Sequence, residues 1–112
     1  MDEVATRDVC WADLGEGRGR EQSGIRPVVV VASLEYLAAV DSLAVVVPVT
    51  SRDRQWRNHI PLTGDTGLAR PSWAMTEQPR TIARNRLVRL VGAVDRECLD
   101  RIGVYLRDFL DF

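Results

Sequence analysis

The chain has 112 residues, of which 46% are hydrophobic and 6% aromatic, and its formal net charge is −1. This length predicts one domain over residues 1–112. The near-neutral charge argues against a purely electrostatic nucleic-acid binder, and no apolar run is long enough to cross a bilayer. No secretory leader pattern is present, so we expect a cytoplasmic protein.

The charge is unevenly distributed. Residues 18–89 contain 11 arginines and 6 acidic residues, a balance of +5, whereas residues 95–112 contain 5 acidic residues and 3 arginines, a balance of −2. All 15 basic residues are arginine, which a GC-rich genome would explain, and the guanidinium group is well suited to phosphate. The central part of the chain is therefore the part that would bind a phosphate backbone.

Chemistry that depends on metals or paired histidines has little support. Cys10 and Cys98 lie far apart among apolar residues, which predicts reduced, buried thiols. Since His59 is the single histidine and no Cys/His cluster exists, we expect neither a metal site nor a cofactor. A ribonuclease mechanism with two histidines in one chain is excluded.

The first half of the chain reads as strands around a polar loop. A strand over 8–14 precedes a loop over 15–23 that contains three glycines. Arg26 stands before Pro27, which favours an extended backbone, and the apolar run 27–32 predicts a strand buried on both faces. A short helical turn follows over 34–40, and then a second buried strand over 43–50. Pro48 in that strand indicates a sheet edge or a bulge.

The second half ends in a helix. We predict a polar loop over 51–58, a short strand over 59–62, a turn over 64–67, a strand over 72–81 that Pro79 interrupts, a turn over 83–86 and a strand over 87–93. Asp95 is a suitable N-cap, and helical spacing of apolar residues follows it. The chain therefore predicts one amphipathic C-terminal helix on a mostly antiparallel sheet.

Arg26 and Thr50 are the first candidates for chemistry. Arg26 begins one buried strand and Thr50 ends another, so their side chains converge if the strands are antiparallel neighbours. An arginine and a hydroxyl at one point suit a phosphate whose charge grows in a transition state. A solvated strand flank and a backbone cap explain the same two residues, so the pattern alone leaves their role open.

Other polar residues also have two interpretations. The loop with Arg52, Trp56 and Arg57 could stack a base and hold its phosphates, or be a surface loop with a half-buried tryptophan. His59 fits a strand flank better than a catalyst. Glu77 and Gln78 fit an ordinary polar face better than inward-facing hydrogen-bonding positions.

Four segments, in order, resemble the successive signatures of the MazF/PemK toxins. They are DVCWADL at 8–14, GREQSGIRP at 19–27, VPVTS at 47–51 and EQPRTI at 77–82, and LVGAV at 90–94 fits as well. The resemblance implies a mostly β (α+β) fold, a small barrel-like antiparallel sheet of the MazF/CcdB toxin type with a C-terminal amphipathic α-helix. It also implies a homodimer.

The implied function is that of a toxin in a toxin-antitoxin system. Such a toxin is a sequence-specific, metal-independent endoribonuclease that cleaves single-stranded RNA by attack of the 2′-hydroxyl, leaving 2′,3′-cyclic phosphate and 5′-hydroxyl ends. A cognate MazE-like antitoxin would neutralise it. The family pattern places its catalytic arginine and threonine at Arg26 and Thr50, and residues 15–25 would gate the RNA groove. The expected RNA-binding residues are Arg20, Glu21, Gln22, Ser51, Arg52, Trp56 and Gln78.

Two departures and two alternatives remain. Arg7 stands where the family often has glycine, a departure that affects only the start of the strand. Arg20 stands where the family usually has serine, and this departure would change the cleavage preference or the activity. A CcdB-like toxin that poisons gyrase has the same fold, but a tryptophan near the C-terminus is missing here. An inactive paralogue that only binds antitoxin is the second alternative.

Overall fold

The computed structural model describes residues 3–15 and 24–111. Its elements are β1 (Asp8–Asp13), β2 (Ile25–Val30), α1 (Leu34–Ala39), β3 (Leu43–Thr50), β4 (His59–Pro61), β5 (Trp73–Met75), β6 (Arg80–Ala83), a 3₁₀ turn (Arg84–Arg86), β7 (Leu87–Ala93) and α2 (Arg96–Leu110). All strand pairs are antiparallel, in the order β4-β5-β3-β2-β1-β7, and β6 pairs with β3 as well. The predicted antiparallel fold with a C-terminal helix is confirmed, but the sheet is not closed.

Successive side chains of a strand point to opposite sides of the sheet. The central strands β1, β2 and β3 therefore contribute buried residues to two apolar clusters, one on each face of the sheet. Val28 and Val30 of β2 belong to one apolar cluster, which α1 covers, while Val29 belongs to the other, which α2 covers. Cys10 and Cys98 are free and buried, one in each cluster, as predicted. Burial raises the pKa of the Cys10 thiol to about 12.

The C-terminal helix begins and packs as its sequence predicts. The Asp95 side chain accepts a hydrogen bond from the backbone N–H of Cys98 at 2.9 Å and another from the Thr63 hydroxyl at 2.8 Å. Cys98 and Ile102 are buried against the sheet. The cap therefore joins the helix start to the segment after β4.

Neither α-helix in the described part of the chain has the length and apolar character needed to cross a lipid bilayer.

Two expectations about strands need correction: of the two alternatives for Pro48 the sheet edge is wrong, and the interruption predicted at Pro79 separates two strands. Pro48 does not mark an edge, since β3 pairs with β2 on one side and with β6 and β5 on the other. On the side of β3 that faces β6 and β5, Pro48 lies between the stretch that pairs with β6 (43–46) and the stretch that pairs with β5 (49–50), so neither pairing needs its missing N–H. The predicted strand 72–81 is two strands, because residues 76–79 form a turn that carries the chain from one part of β3 to another.

Arg7 adopts a backbone conformation that favours glycine, with φ of 79°. Its N–H donates to the Val30 carbonyl at 2.8 Å and its carbonyl accepts from the Val94 N–H at 2.9 Å, so the strained residue joins two parts of the fold. We expect Arg7→Gly to be more stable than Arg7→Ala by about 1 kcal/mol, since only glycine relieves the left-handed strain. Urea unfolding of both variants measures this difference. Equal stabilities would contradict the prediction.

Candidate active site

The sheet brings Arg26 and Thr50 together. Strands β2 and β3 are antiparallel neighbours, with Val28 opposite Pro48 and Val29 opposite Val47. Continuing this register by two residues places Arg26 opposite Thr50. The convergence expected at this end of the sheet is therefore present.

A pocket of about 310 Å³ lies at this end of the sheet. It contains both residues and draws its walls from four segments of the chain. The lining residues are Trp11, Ile25, Arg26, Pro27, Val49, Thr50, Ser51, Leu68, Ala69, Arg70 and Ser72. Its volume is near the lower end of the range for small-ligand sites, which suits a single nucleotide.

Arg70 and Ser72 also line the pocket, although the sequence does not indicate them. They follow a turn and lie outside every motif, so no local signal distinguishes them. They reach the pocket because β5 pairs with the end of β3, with Trp73 opposite Thr50. The pocket thus contains a second guanidinium and a further hydroxyl beside the predicted pair.

A backbone hydrogen bond from the next segment of the chain orients the Thr50 hydroxyl. Its Oγ1 accepts a hydrogen bond from the backbone N–H of Arg52 at 3.1 Å, which leaves the O–H to donate elsewhere. Thr50 is half-buried, whereas the Arg26 side chain is exposed. At the end of the sheet, Arg26 lies between β1 and β3: it pairs with Ala12 of β1 on one side and is opposite Thr50 of β3 on the other. An exposed guanidinium beside a fixed hydroxyl can bind an incoming phosphate.

A second polar group, which we call the His59 cluster, comprises Trp56, Asn58, His59, Glu77 and Gln78. The His59 ring is buried, and its Nε2 lies 3.0 Å from each carboxylate oxygen of Glu77. The Asn58 amide donates to the same carboxylate at 2.8 Å, and the Gln78 amide approaches it at 3.5 Å. The Trp56 ring packs on His59 with centroids 4.9 Å apart.

Burial alone would raise the pKa of the Glu77 carboxyl, but the hydrogen bonds from His59 and neighbouring donors hold that pKa below its usual range. Glu77 is therefore ionised at neutral pH. The earlier expectation that Glu77 sits on an ordinary polar face is wrong, because its carboxylate is the hydrogen-bonding centre of the cluster.

The predicted RNA-binding residues do not form one group. Ser51 lines the pocket, Arg52 is exposed next to Thr50, and Trp56 and Gln78 belong to the His59 cluster. Arg20, Glu21 and Gln22, with most of the predicted gate over 15–25, lie outside the described residues. Within residues 3–15 and 24–111, no three His, Cys, Asp or Glu side chains are grouped so that they could hold a metal ion.

Comparisons with known proteins agree on one family. Residues 5–110 match the family described as PemK-like, MazF-like toxin of type II toxin-antitoxin system. Endoribonuclease EndoA of Bacillus subtilis is 31% identical over 107 residues, which is 93% of this chain and 91% of that protein. The fold matches MazF of Deinococcus radiodurans with a TM-score of 0.84 at 21% identity, covering 97% of both chains. It also matches a chain of the MazE-MazF structure from that organism with a TM-score of 0.78 at 22% identity, covering 97% and 96%.

Proposed function

Because the chain belongs to the PemK-like, MazF-like toxins of type II toxin-antitoxin systems, we propose that it cleaves single-stranded RNA at the Arg26–Thr50 end of its sheet. The chain is an endoribonuclease of this family, as its similarity to EndoA indicates. The proposed location of cleavage rests on the pairing of β2 with β3, which brings the Arg26 guanidinium and the Thr50 hydroxyl into one pocket. The proposed toxin is a single domain that acts in the cytoplasm without a metal.

In the proposed reaction, the 2′-hydroxyl of the RNA attacks the adjacent phosphorus and loses its proton. The bond from phosphorus to the 5′-oxygen breaks, and that oxygen takes up a proton, which leaves a 2′,3′-cyclic phosphate and a 5′-hydroxyl. Arg26 stabilises the charge that grows on the phosphate oxygens, and because a guanidinium carries N–H donors and no acceptor it cannot serve as the base. The Thr50 hydroxyl donates to a phosphate oxygen and orients it.

We further propose a homodimer that a MazE-like antitoxin neutralises. The solved MazE-MazF structure of D. radiodurans supports an antitoxin partner, since its toxin-like chain has this fold. Exposed apolar side chains on β7 and α2, including Val88, Leu90 and Phe109, supply surface for such contacts. The antitoxin would inhibit by covering the RNA groove.

Incubation with a long RNA in EDTA tests the proposed reaction. We expect cleavage at a limited set of sequences, with 5′-hydroxyl and 2′,3′-cyclic phosphate ends, because the reaction needs no metal. The matched control is the same RNA with 2′-O-methyl groups, which lacks the nucleophile and should stay intact. Ends with a 5′-phosphate, or cleavage that stops in EDTA, would contradict the mechanism.

The alternatives predict different results. DNA breaks in cells whose RNA stays intact would indicate a gyrase poison. A dimer that cuts no RNA and still binds its antitoxin would indicate an inactive paralogue.

A further inference from the structure

The His59 cluster lies beside the candidate active site but outside its pocket. Trp73 and Ala74 of β5 are opposite Thr50 and Val49, and Arg80 of β6 is opposite Val46. The turn that carries Glu77 therefore runs alongside residues 47–48. At about 3.3 Å per residue, the turn is offset roughly 7–10 Å along β3 from Thr50, and the Glu77 carboxylate contacts Asn58 and His59 at the start of β4, which lies beyond β5. A nucleotide that neighbours the cleaved phosphate can span this distance.

The turn has a cavity of its own, with a volume of about 420 Å³. Glu77, Gln78 and Arg80 line it with a carboxylate, an amide and a guanidinium, together with Pro79 and Thr81. The Glu77 side chain is 28% exposed and lines this cavity. The volume falls in the range of small-ligand sites.

The buried histidine holds this carboxylate in place. Nδ1 of His59 is buried and has no hydrogen-bond partner among the described residues, so the ring proton belongs on Nε2, where Glu77 accepts it. A second ring proton would be a buried donor without an acceptor, which costs about 1–3 kcal/mol. The Nε2–H of His59 therefore donates to the ionised Glu77 carboxylate and fixes its orientation.

An anionic group that only accepts hydrogen bonds is unusual in a groove for RNA. It repels phosphates, so the part of a nucleotide that it can bind is a base edge with hydrogen-bond donors. Carboxylates pair with the exocyclic amino group of cytosine in this way. In single-stranded RNA the Watson–Crick edges are open to such contacts. Uracil has a carbonyl oxygen where cytosine has the amino group, and a carboxylate repels it.

Given the RNA cleavage proposed above, we infer that Glu77, positioned by His59, binds the exocyclic amino group of a base next to the cleaved phosphate and rejects uracil there. Asn58 supports the carboxylate from a third direction. Arg80 lines the same cavity, and its guanidinium donates to the Leu14 carbonyl at 3.4 Å. The cavity is thus a specificity subsite, and Glu77 takes no part in proton transfer.

Binding of uncleavable RNA tests this role without relying on catalysis. We compare 2′-O-methyl hexacytidine with 2′-O-methyl hexauridine, which differ in the group at position 4 of the pyrimidine. Wild type should bind the cytidine oligomer about 10-fold more tightly, within the range of one specific base contact. Glu77→Gln should bring this ratio close to one, because an amide both donates and accepts. Glu35→Gln, an exposed change of the same kind on α1, should leave the ratio unchanged.

His59→Phe is the second variant. It keeps a ring against Trp56 but removes the donor to Glu77, so the ratio should fall at least threefold while circular dichroism stays that of the wild type. A residue with a purely structural role would weaken both oligomers equally. This variant also tests the subsite if Glu77→Gln does not fold.

Two results would overturn the assignment: a wild type with no preference for cytidine, or a ratio that Glu77→Gln and His59→Phe leave unchanged. Cleavage of unmodified RNA, measured in parallel, separates this assignment from the proposed function. Loss of cleavage with the cytidine preference intact would contradict the reaction alone. Cleavage by a wild type that binds both oligomers equally would contradict the subsite alone.

Discussion

Arg26→Ala should lower the rate of RNA cleavage by about 10³-fold, the size of effect found when a group that stabilises transition-state charge is removed. Alanine cannot bind the phosphate oxygens. Of the groups that remain, the Thr50 hydroxyl carries no positive charge, and the Arg70 guanidinium enters the pocket from another segment of the chain. Because Arg26 is exposed, the melting temperature should change little. Single-turnover cleavage of a short RNA measures the rate, and thermal unfolding measures the stability.

Arg101→Ala is the matched control for this result. Arg101 is exposed on α2, outside the residues that line the candidate pocket, so its loss should change the rate less than twofold. Arg26→Lys should recover part of the rate, since an ammonium keeps the charge but not the two-point geometry of a guanidinium. Cleavage by Arg26→Ala at the wild-type rate would remove Arg26 from the proposed mechanism.

Gly67→Ala should destabilise the protein by about 3 kcal/mol, combining left-handed strain with overpacking. Gly67 has φ of 74°, and a Cβ there would press against the Val91 carbonyl and lie 2.8 Å from its carbon atom. For a chain of this size, such a loss lowers the melting temperature by roughly 10–20 °C. Leu68, Ala69 and Arg70 follow directly and line the pocket, so cleavage should weaken as well.

Gly103→Ala is the control, because it makes the same chemical change in open space. Gly103 lies inside α2, and a Cβ there meets no atom within 4 Å apart from its chain neighbours and the backbone of its own helix. Alanine is favoured over glycine in a helix interior by about 1 kcal/mol, so this variant should be more stable than wild type. A Gly67→Ala protein as stable as Gly103→Ala would mean that the turn can move away from β7.

Local patterns in the sequence were sufficient for the central strands and for α2. The run of valines in β2 and the apolar stretch of β3 predict strands buried on both faces, since neither has a polar side to expose. Asp95 and the apolar spacing after it predict the start and buried face of α2. Arg26 and Thr50 became candidates in the same way, because their positions at strand ends are visible in the chain and match the family motifs.

Contacts between distant segments could not be predicted, because a periodic pattern does not specify which strands pair. Arg70 enters the candidate pocket through the pairing of β5 with β3, and His59 meets Glu77 across 18 residues of chain. Pro48 suggested an edge because proline lacks the N–H that a ladder needs, and only the division of β3 between two partners makes its central position possible. The bounds of β3 and the start of α2 were thus readable from the chain, whereas those of β2 and of the predicted strand 72–81 were not. The neighbours of these strands across the sheet depend on strand register, which long-range packing establishes.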